Sequence, residues 1–161
     1  INNILALFGI EGPSWLQSSK WAMPAIVLAS VWKDMGYFGL MLMSGLQGIN
    51  QEYYDAAAID GAGKIKQFTR ITLPLLTPTL FFVLIISLIN SFQLFTQIMI
   101  MTPDGGPLGS TMVMVERIYK CGFRYYEMGT AAAYSWILFA ILLLLTMVQM
   151  KLQNKWVNYD D

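Results

Sequence analysis

The stretch that decides the fold is Tyr53–Pro74, YYDAAAIDGAGKIKQFTRITLP. It places charged, helix-forming and glycine-broken sequence between two long apolar runs. Asn50 is suited to cap a helix through QEYYDAAAI, and Gly61 lies just past its end, where a left-handed residue commonly turns the chain. AGKIKQFTR reads as a second helical piece, and Pro74 marks the start of the next apolar run. The pattern predicts helix, sharp turn, helix. Ala56, Ala57 and Ala58 keep the first helix slim and leave Ile59 and the tyrosines available for contact.

Working outward, apolar residues gather into three blocks, each long enough to cross a bilayer, which takes about 20 predominantly apolar residues per helix. The 161 residues are 56% hydrophobic and 12% charged, where a soluble domain averages about 25% charged. The mean hydropathy is positive. The sequence therefore predicts an all-α integral membrane protein, a bundle of transmembrane helices with a helical loop between two spans. Residues 1–20 read as an approach outside the membrane, with Gly12-Pro13 as a breaker and Ser14-Trp15-Leu16 as an interfacial anchor. Spans are expected over 21–46, 74–101 and 128–150, the loop over 50–71, a second loop with a short amphipathic helix over 102–127, and a tail over 151–161. The run Ile4 to Ile10 is too short for a span and lacks the features of a signal peptide. Together with the start at Ile1, this suggests a fragment with further helices upstream.

Composition also excludes functions. The formal charge is zero and no basic tract occurs, so the electrostatic footprint of a nucleic-acid binder is missing. There is no histidine, which removes a Ser-His-Asp triad and His-ligated metal sites. Cys121 stands alone and reads as a small buried residue, not a metal ligand. Gly63-Lys64 invites a phosphate-loop reading, but G-x-x-x-x-G-K-[ST] would need glycine at Ala58 and a hydroxyl at Ile65. A membrane enzyme using Asp34, Glu52 or Asp60 as acid or base remains a competing class, as does a membrane-anchored assembly or sensor subunit that recruits a cytoplasmic partner without transport.

Two features inside the spans call for polar partners. Lys33 and Asp34 lie near the middle of the first, where an ionised side chain costs roughly 2.5–3.5 kcal/mol on insertion scales. As sequence neighbours they point about 100° apart and pair poorly with each other. They mark either a polar path or an ion pair with another helix. Ser87, Asn90, Gln93 and Gln97 fall within one third of the circumference of a continuous helix at about 100° per residue. Such a stripe either lines a route for a hydroxyl-rich solute or joins helices. Pro103, Gly105, Gly106 and Pro107 end this span, and Ser110 is the expected cap of the short helix that follows. GTAAAYS opens the last span with small residues that permit close helix approach.

Orientation is left open by charge. Lys64, Lys66, Arg70, Lys151 and Lys155 fall on one side, and Lys20, Arg117, Lys120 and Arg124 on the other, a weak positive-inside signal.

The spacing Asp55-Ala56-Ala57, three residues, Gly61, nine residues, Ile71-x-Leu73-Pro74 resembles the EAA loop of ATP-binding-cassette importer permeases. Aspartate stands at 55 where that family usually has glutamate. The likeness extends to Trp32–Tyr37, Asn90-Ser91-Phe92, the T-x-x-GGP pattern at Thr102–Pro107 and Gly129–Ala133, and is similar to carbohydrate permeases of the maltose and glycerol-3-phosphate kind. The resemblance implies a cytoplasmic coupling helix, with Asp60 and Gly61 at its turn, seated in a cleft of an ATPase subunit. It also implies a bacterial or archaeal inner-membrane location. The implied partners are a second permease subunit, two ATP-binding subunits that carry the ATP, and an extracytoplasmic solute-binding protein. No cofactor or metal is expected on this chain. For a sugar or polyol, Asn90, Gln93 and Gln97 are the expected hydrogen-bonding groups, and Trp32, Tyr37 and Phe92 the stacking faces.

Overall fold

The computed structural model describes residues 2–9 and 11–156, without the side chains of 4, 5 and 154–156. The expected basic side chain of Lys155, the far tail, Ile1 and parts of the Ile4–Ile10 run lie outside the described residues. The described chain is helical, with no strand among these residues. It groups into two compact units. One takes the residues up to Lys33 and Ser91–Ile141, the other Asp34–Asn90 and the residues from Leu142 onward.

Helix α1 (Asn2–Leu7) leads into an irregular stretch in which Trp15 meets Trp21 edge-on at 5.4 Å. Helix α2 (Ala22–Gln47) follows. At 1.5 Å per residue it is ~39 Å long, enough to cross a bilayer. Helix α3 (Gln51–Ile59) comes next. A continuous helical rod then runs from Lys64 to Leu75 and meets an apolar helix at a 60° bend. Within that rod Lys64–Gln67 is α4, Phe68–Thr72 is a wide π turn and Leu73–Leu75 is α5. Helix α6 is Thr77–Phe92, α7 is Thr96–Met101, α8 is Met114–Tyr119 and α9 is Met128–Trp156. α2 and α9 are long and apolar enough to span a membrane, and the bent pair of the rod and α6 makes a third candidate.

Four sequence expectations need correction. The helix after Gly63 does not stop at Arg70 but continues through Pro74. Proline offers no N–H to the Arg70 carbonyl and crowds it. The π turn just before it absorbs the misfit, with the Leu73 N–H donating to the Phe68 carbonyl five residues back. Pro74 therefore closes the rod and does not open the spanning helix, whose first turn carries Pro78 instead. The Thr77 hydroxyl donates to the Pro74 carbonyl at 2.6 Å, and the bend sits between them.

The run from Pro74 to Met101 is also not one helix. It breaks over Gln93, Leu94 and Phe95, with Phe95 in a non-helical conformation. The Phe95 ring packs on Tyr119 at 5.2 Å, and Ile98 is fully buried. Anchoring this segment to the following loop outcompetes straight continuation. Lastly, Ser110 does not cap α8. Val113 is the N-cap of α8 and makes no side-chain cap bond, because residues 107–109 form a 3₁₀ turn and the Thr111 N–H is committed to the Gly105 carbonyl at 2.9 Å.

In the unit containing residues 91–141, the short helix α8 runs into a second π turn, Lys120–Arg124. Cys121 is buried there. An ideal Cβ on Gly122 would sit 3.5 Å from the Cβ of Ala131, so the small residues that open α9 do allow close packing.

Candidate functional site

The loop between α2 and α6 is built from its ends inward. Asn50, in extended conformation, accepts a hydrogen bond from the Glu52 N–H at 3.1 Å, satisfying one of the free donors of the first turn of α3. At the other end the chain leaves the helix through Gly61 at φ +73°. The Ala62 N–H donates to the Ala57 carbonyl at 2.9 Å and the Gly61 N–H to the Ala58 carbonyl at 3.1 Å. This paired 6→1 and 5→2 pattern is a Schellman stop. Nothing lies within 4 Å of a Cβ built on Gly61, so glycine is required there by backbone conformation and not by space.

Asp55, Ala56, Asp60 and Gly61 are exposed and Ala57 is half-buried. Gln51 donates to Asp55 Oδ1 at 3.2 Å, holding the carboxylate along the helix. Ile59 projects 87% exposed, an apolar tip beside the turn. Ile71 and Pro74 are half-buried and Leu73 is exposed. The loop thus keeps its acidic and small residues outward and ties its exit to the rod.

Two contacts that sequence reading missed make this loop stiff. The Tyr54 hydroxyl lies 2.9 Å from Thr72 Oγ1, linking α3 to the π turn across the intervening loop. Thr72 is buried and Tyr54 half-buried, so this hydroxyl pair is partly shielded from water. At the base, an ideal Cβ on Gly45 would fall 2.5 Å from Thr79 Oγ1 and 2.9 Å from Leu76 Cδ1. The end of α2 therefore touches the start of α6 at the bend, with room for glycine alone. The small pair Ser44-Gly45 was the available signal for this contact; no sequence pattern marks the Tyr54–Thr72 pair.

A second constellation occupies the loop from Thr102 to Glu127. Thr111 donates to Thr102 at 2.8 Å, both buried, and Gly106 passes so close that a Cβ would meet Thr111 Oγ1 at 2.6 Å. Asp104, at φ +64°, pairs with Arg124 and lies 3.7 Å from Lys120 Nζ. Lys120 Nζ also lies 2.8 Å from Oε1 of Glu116, which is fully buried. A charge so placed is costly unless paired, which explains why Lys120 is buried beside it. The hydrogen bond and charge of Arg124 hold the Asp104 carboxyl below its usual value of 3.8. The neighbouring Tyr134 hydroxyl raises the Arg117 guanidinium above its usual value.

The residues expected to line a solute path lie on several different elements. Trp32 and Tyr37 are exposed on α2, Asn90 and Phe92 lie on the last turn of α6, Gln93 sits in the break and Gln97 in α7. Ser87 donates to the Leu84 carbonyl at 3.0 Å. The four polar positions do not share one helical face, because the break at 93–95 interrupts the 100° progression. Lys33 is exposed and Asp34 half-buried, and each has an interaction partner. Among the described residues no cluster of carboxylate or thiol groups is arranged to hold a metal.

Residues 1–159 match the family model described as the inner membrane component of binding-protein-dependent transport systems. The chain belongs to this family. Among relatives of this inner-membrane component, it is 36% identical over 163 residues to the probable ABC transporter permease YesP of Bacillus subtilis, covering 100% of this chain and 52% of YesP. It is 37% identical over 152 residues to the sulfoquinovosyl glycerol transport system permease SmoG of Agrobacterium fabrum, covering 94% and 49%. Its fold matches a chain of a bacterial alginate ABC transporter solved in complex with a periplasmic protein bound to alginate pentasaccharide. That match has a TM-score of 0.84 at 24% identity and covers 96% of this chain and 54% of that one. The chain spans about half the length of the curated relatives it matches.

Proposed function

We propose that this inner-membrane component is a multi-pass permease subunit of an ATP-binding-cassette importer that moves a sugar or related polyol. In this reading the solute is delivered by an extracytoplasmic solute-binding protein, and the pathway is completed by a second permease subunit. ATP is bound and hydrolysed by two partner subunits, and this chain carries no catalytic group. The loop carrying Asp55, Ala56, Ala57, Asp60, Gly61, Ile71, Leu73 and Pro74 faces the cytoplasm and couples to an ATPase subunit, with α3 as the part that seats in it.

The observation that carries this reading is mechanical. A slim exposed helix, closed by a fixed turn, is tied by Tyr54–Thr72 to a rod that continues into an apolar helix. A push on α3 therefore reaches α6 without being lost in a slack loop. The sulfoquinovosyl glycerol permease among the relatives supports the substrate class. Asn90, Gln93 and Gln97 as hydrogen-bonding groups, with Trp32, Tyr37 and Phe92 as faces for sugar C–H groups, remain the proposed lining. In this reading Asn90, Gln93 and Gln97 contribute from either side of the break at 93–95 and from within it, not along one stripe. Lys33 and Asp34 are proposed to border the same polar route.

The test is reconstitution of the full-length chain with its companion subunits. ATP hydrolysis should rise when loaded binding protein is added, and cysteine cross-links at residues 55–62 should trap an ATPase subunit. Hydrolysis indifferent to the binding protein, or cross-links that capture only extracytoplasmic partners, would overturn the reading. Recruitment of the ATPase without solute uptake would instead mark an assembly or sensor subunit.

A further inference from the structure

The rod carries a feature that ATPase docking through α3 does not use. Lys64, Lys66 and Arg70 stand within seven positions, and no aspartate or glutamate occurs between Asp60 and Asp104. Among the described residues no carboxylate pairs with any of the three. With Gly63, Ile65 and Thr69 they line one shallow, open concavity. Ile65 is 83% and Phe68 56% exposed. Long cationic stems beside uncovered apolar side chains are the composition of a helix that rests on a membrane surface.

The bend turns the rod away from the axis of α6. α6 rises ~24 Å against a hydrocarbon core of about 30 Å, and the proposed cytoplasmic loop would put the bend at the lipid boundary. The rod leaves at 60° to it. Its twelve residues extend ~18 Å, of which half, about 9 Å, is progress along the axis of α6. Arg70 advances about half as far. Headgroup layers are roughly 5–7 Å deep on each side. With the bend at the hydrocarbon boundary, Arg70 falls within that layer and Lys64 and Lys66 at its edge, within reach of phosphate.

We infer that Lys64, Lys66 and Arg70, with Ile65 and Phe68, form a docking surface for anionic phospholipid headgroups that braces the rod against the bilayer while α3 is pushed. The charge complementarity is with the anionic lipid of the leaflet bordering the loop, where each basic residue adds to attraction. The inference rests on the proposed cytoplasmic placement of the loop.

Two measurements on the assembled full-length transporter test it. In vesicles of phosphatidylcholine alone and of phosphatidylcholine with phosphatidylglycerol, solute-stimulated ATP hydrolysis should be several-fold higher with the anionic lipid. The triple variant Lys64→Gln, Lys66→Gln, Arg70→Gln should lose that difference while still copurifying with its ATPase subunits in detergent. A variant that keeps the lipid response overturns the inference. So does one that loses its ATPase subunits in detergent, since the cations would then contact protein. The second measurement is independent of activity. A spin label at Ile65→Cys in lipid vesicles should collide with oxygen in preference to a water-soluble nickel chelate. Preference for nickel, or shielding from both, overturns the lipid assignment. Cross-links from residues 55–62 to the ATPase, taken in the same preparation, report separately on whether the loop itself is placed correctly.

Discussion

The hydroxyl of Tyr54 lies 2.9 Å from that of Thr72, and this pair joins the exposed helix of the loop to the π turn of the rod. Either oxygen is able to donate. Because Thr72 is buried, removing the Tyr54 hydroxyl leaves the Thr72 hydroxyl away from water, at a cost of about 1–3 kcal/mol, whereas the half-buried Tyr54 left by loss of Thr72 can still reach solvent. Tyr54→Phe and Thr72→Val should each lower uptake per ATP hydrolysed in reconstituted vesicles. The double variant should be no worse than the poorer single one, since both remove the same link. Full uptake in all three would show that the loop transmits force by another route.

Gly61 offers a cleaner separation of conformation from space. Its φ of +73° costs a non-glycine residue roughly 1–2 kcal/mol, and no atom obstructs a side chain there. Asparagine, which tolerates the left-handed region, should keep near-normal coupling; alanine should fall between; valine, β-branched, should leave membrane insertion intact while uncoupling hydrolysis from uptake. Equal transport by Gly61→Asn and Gly61→Val would mean that the Schellman turn is dispensable.

These two sites differ in how far sequence revealed them. Asn50, Gly61 and the alanine run are local signals, each acting within a turn or two of itself, and the helix–turn–helix follows from them. The Tyr54–Thr72 pair and the Gly45 contact depend on how the chain folds back after the bend, which no local pattern encodes. Pro74 misled for a related reason. Proline does tend to open helices, but here a π turn let the rod carry it in its last turn. The amide stripe failed because periodicity assumes an unbroken helix, and packing of Phe95 on Tyr119 together with burial of Ile98 interrupted it. Lys120 and Arg124 were visible as charges, yet their grouping with Asp104 and Glu116 needed the turn at Gly105-Gly106.

The Asp104–Arg124 pair sets an acid limit. Its folded-state pKa is lowered, so the stabilisation is present above the ordinary value of 3.8 and is lost as pH falls through the lower folded value. The loop over residues 103–112 should therefore stay protected from hydrogen exchange through mildly acidic conditions and open only in stronger acid. Asp104→Asn should show at neutral pH the loss of protection, relative to the intrinsic exchange rate, that the native chain reaches only in acid. Opening of the native loop near pH 5 would contradict the assigned pairing, as would unchanged exchange in the variant.

At the base of the lever, Gly45 has no room for a side chain. A Cβ would fall 2.5 and 2.8 Å from the two branches of Thr79 and 2.9 Å from Leu76, closer than van der Waals contact allows. Thr79 is β-branched and stiff, so relief must come from separating α2 and α6 next to the bend. Overpacking of this kind typically costs about 1–3 kcal/mol. Gly45→Val should lower the thermal unfolding temperature of the purified transporter and weaken uptake, and Gly45→Ala should do so to a smaller degree. The cause can be isolated by pairing Gly45→Ala with Thr79→Ala, which removes both Thr79 atoms in the clash. The pair should recover part of the lost stability while Thr79→Ala alone does not raise it. If the double variant is as unstable as the sum of the singles, then α2 and α6 do not meet at this point, and the loop's two flanking helices move independently.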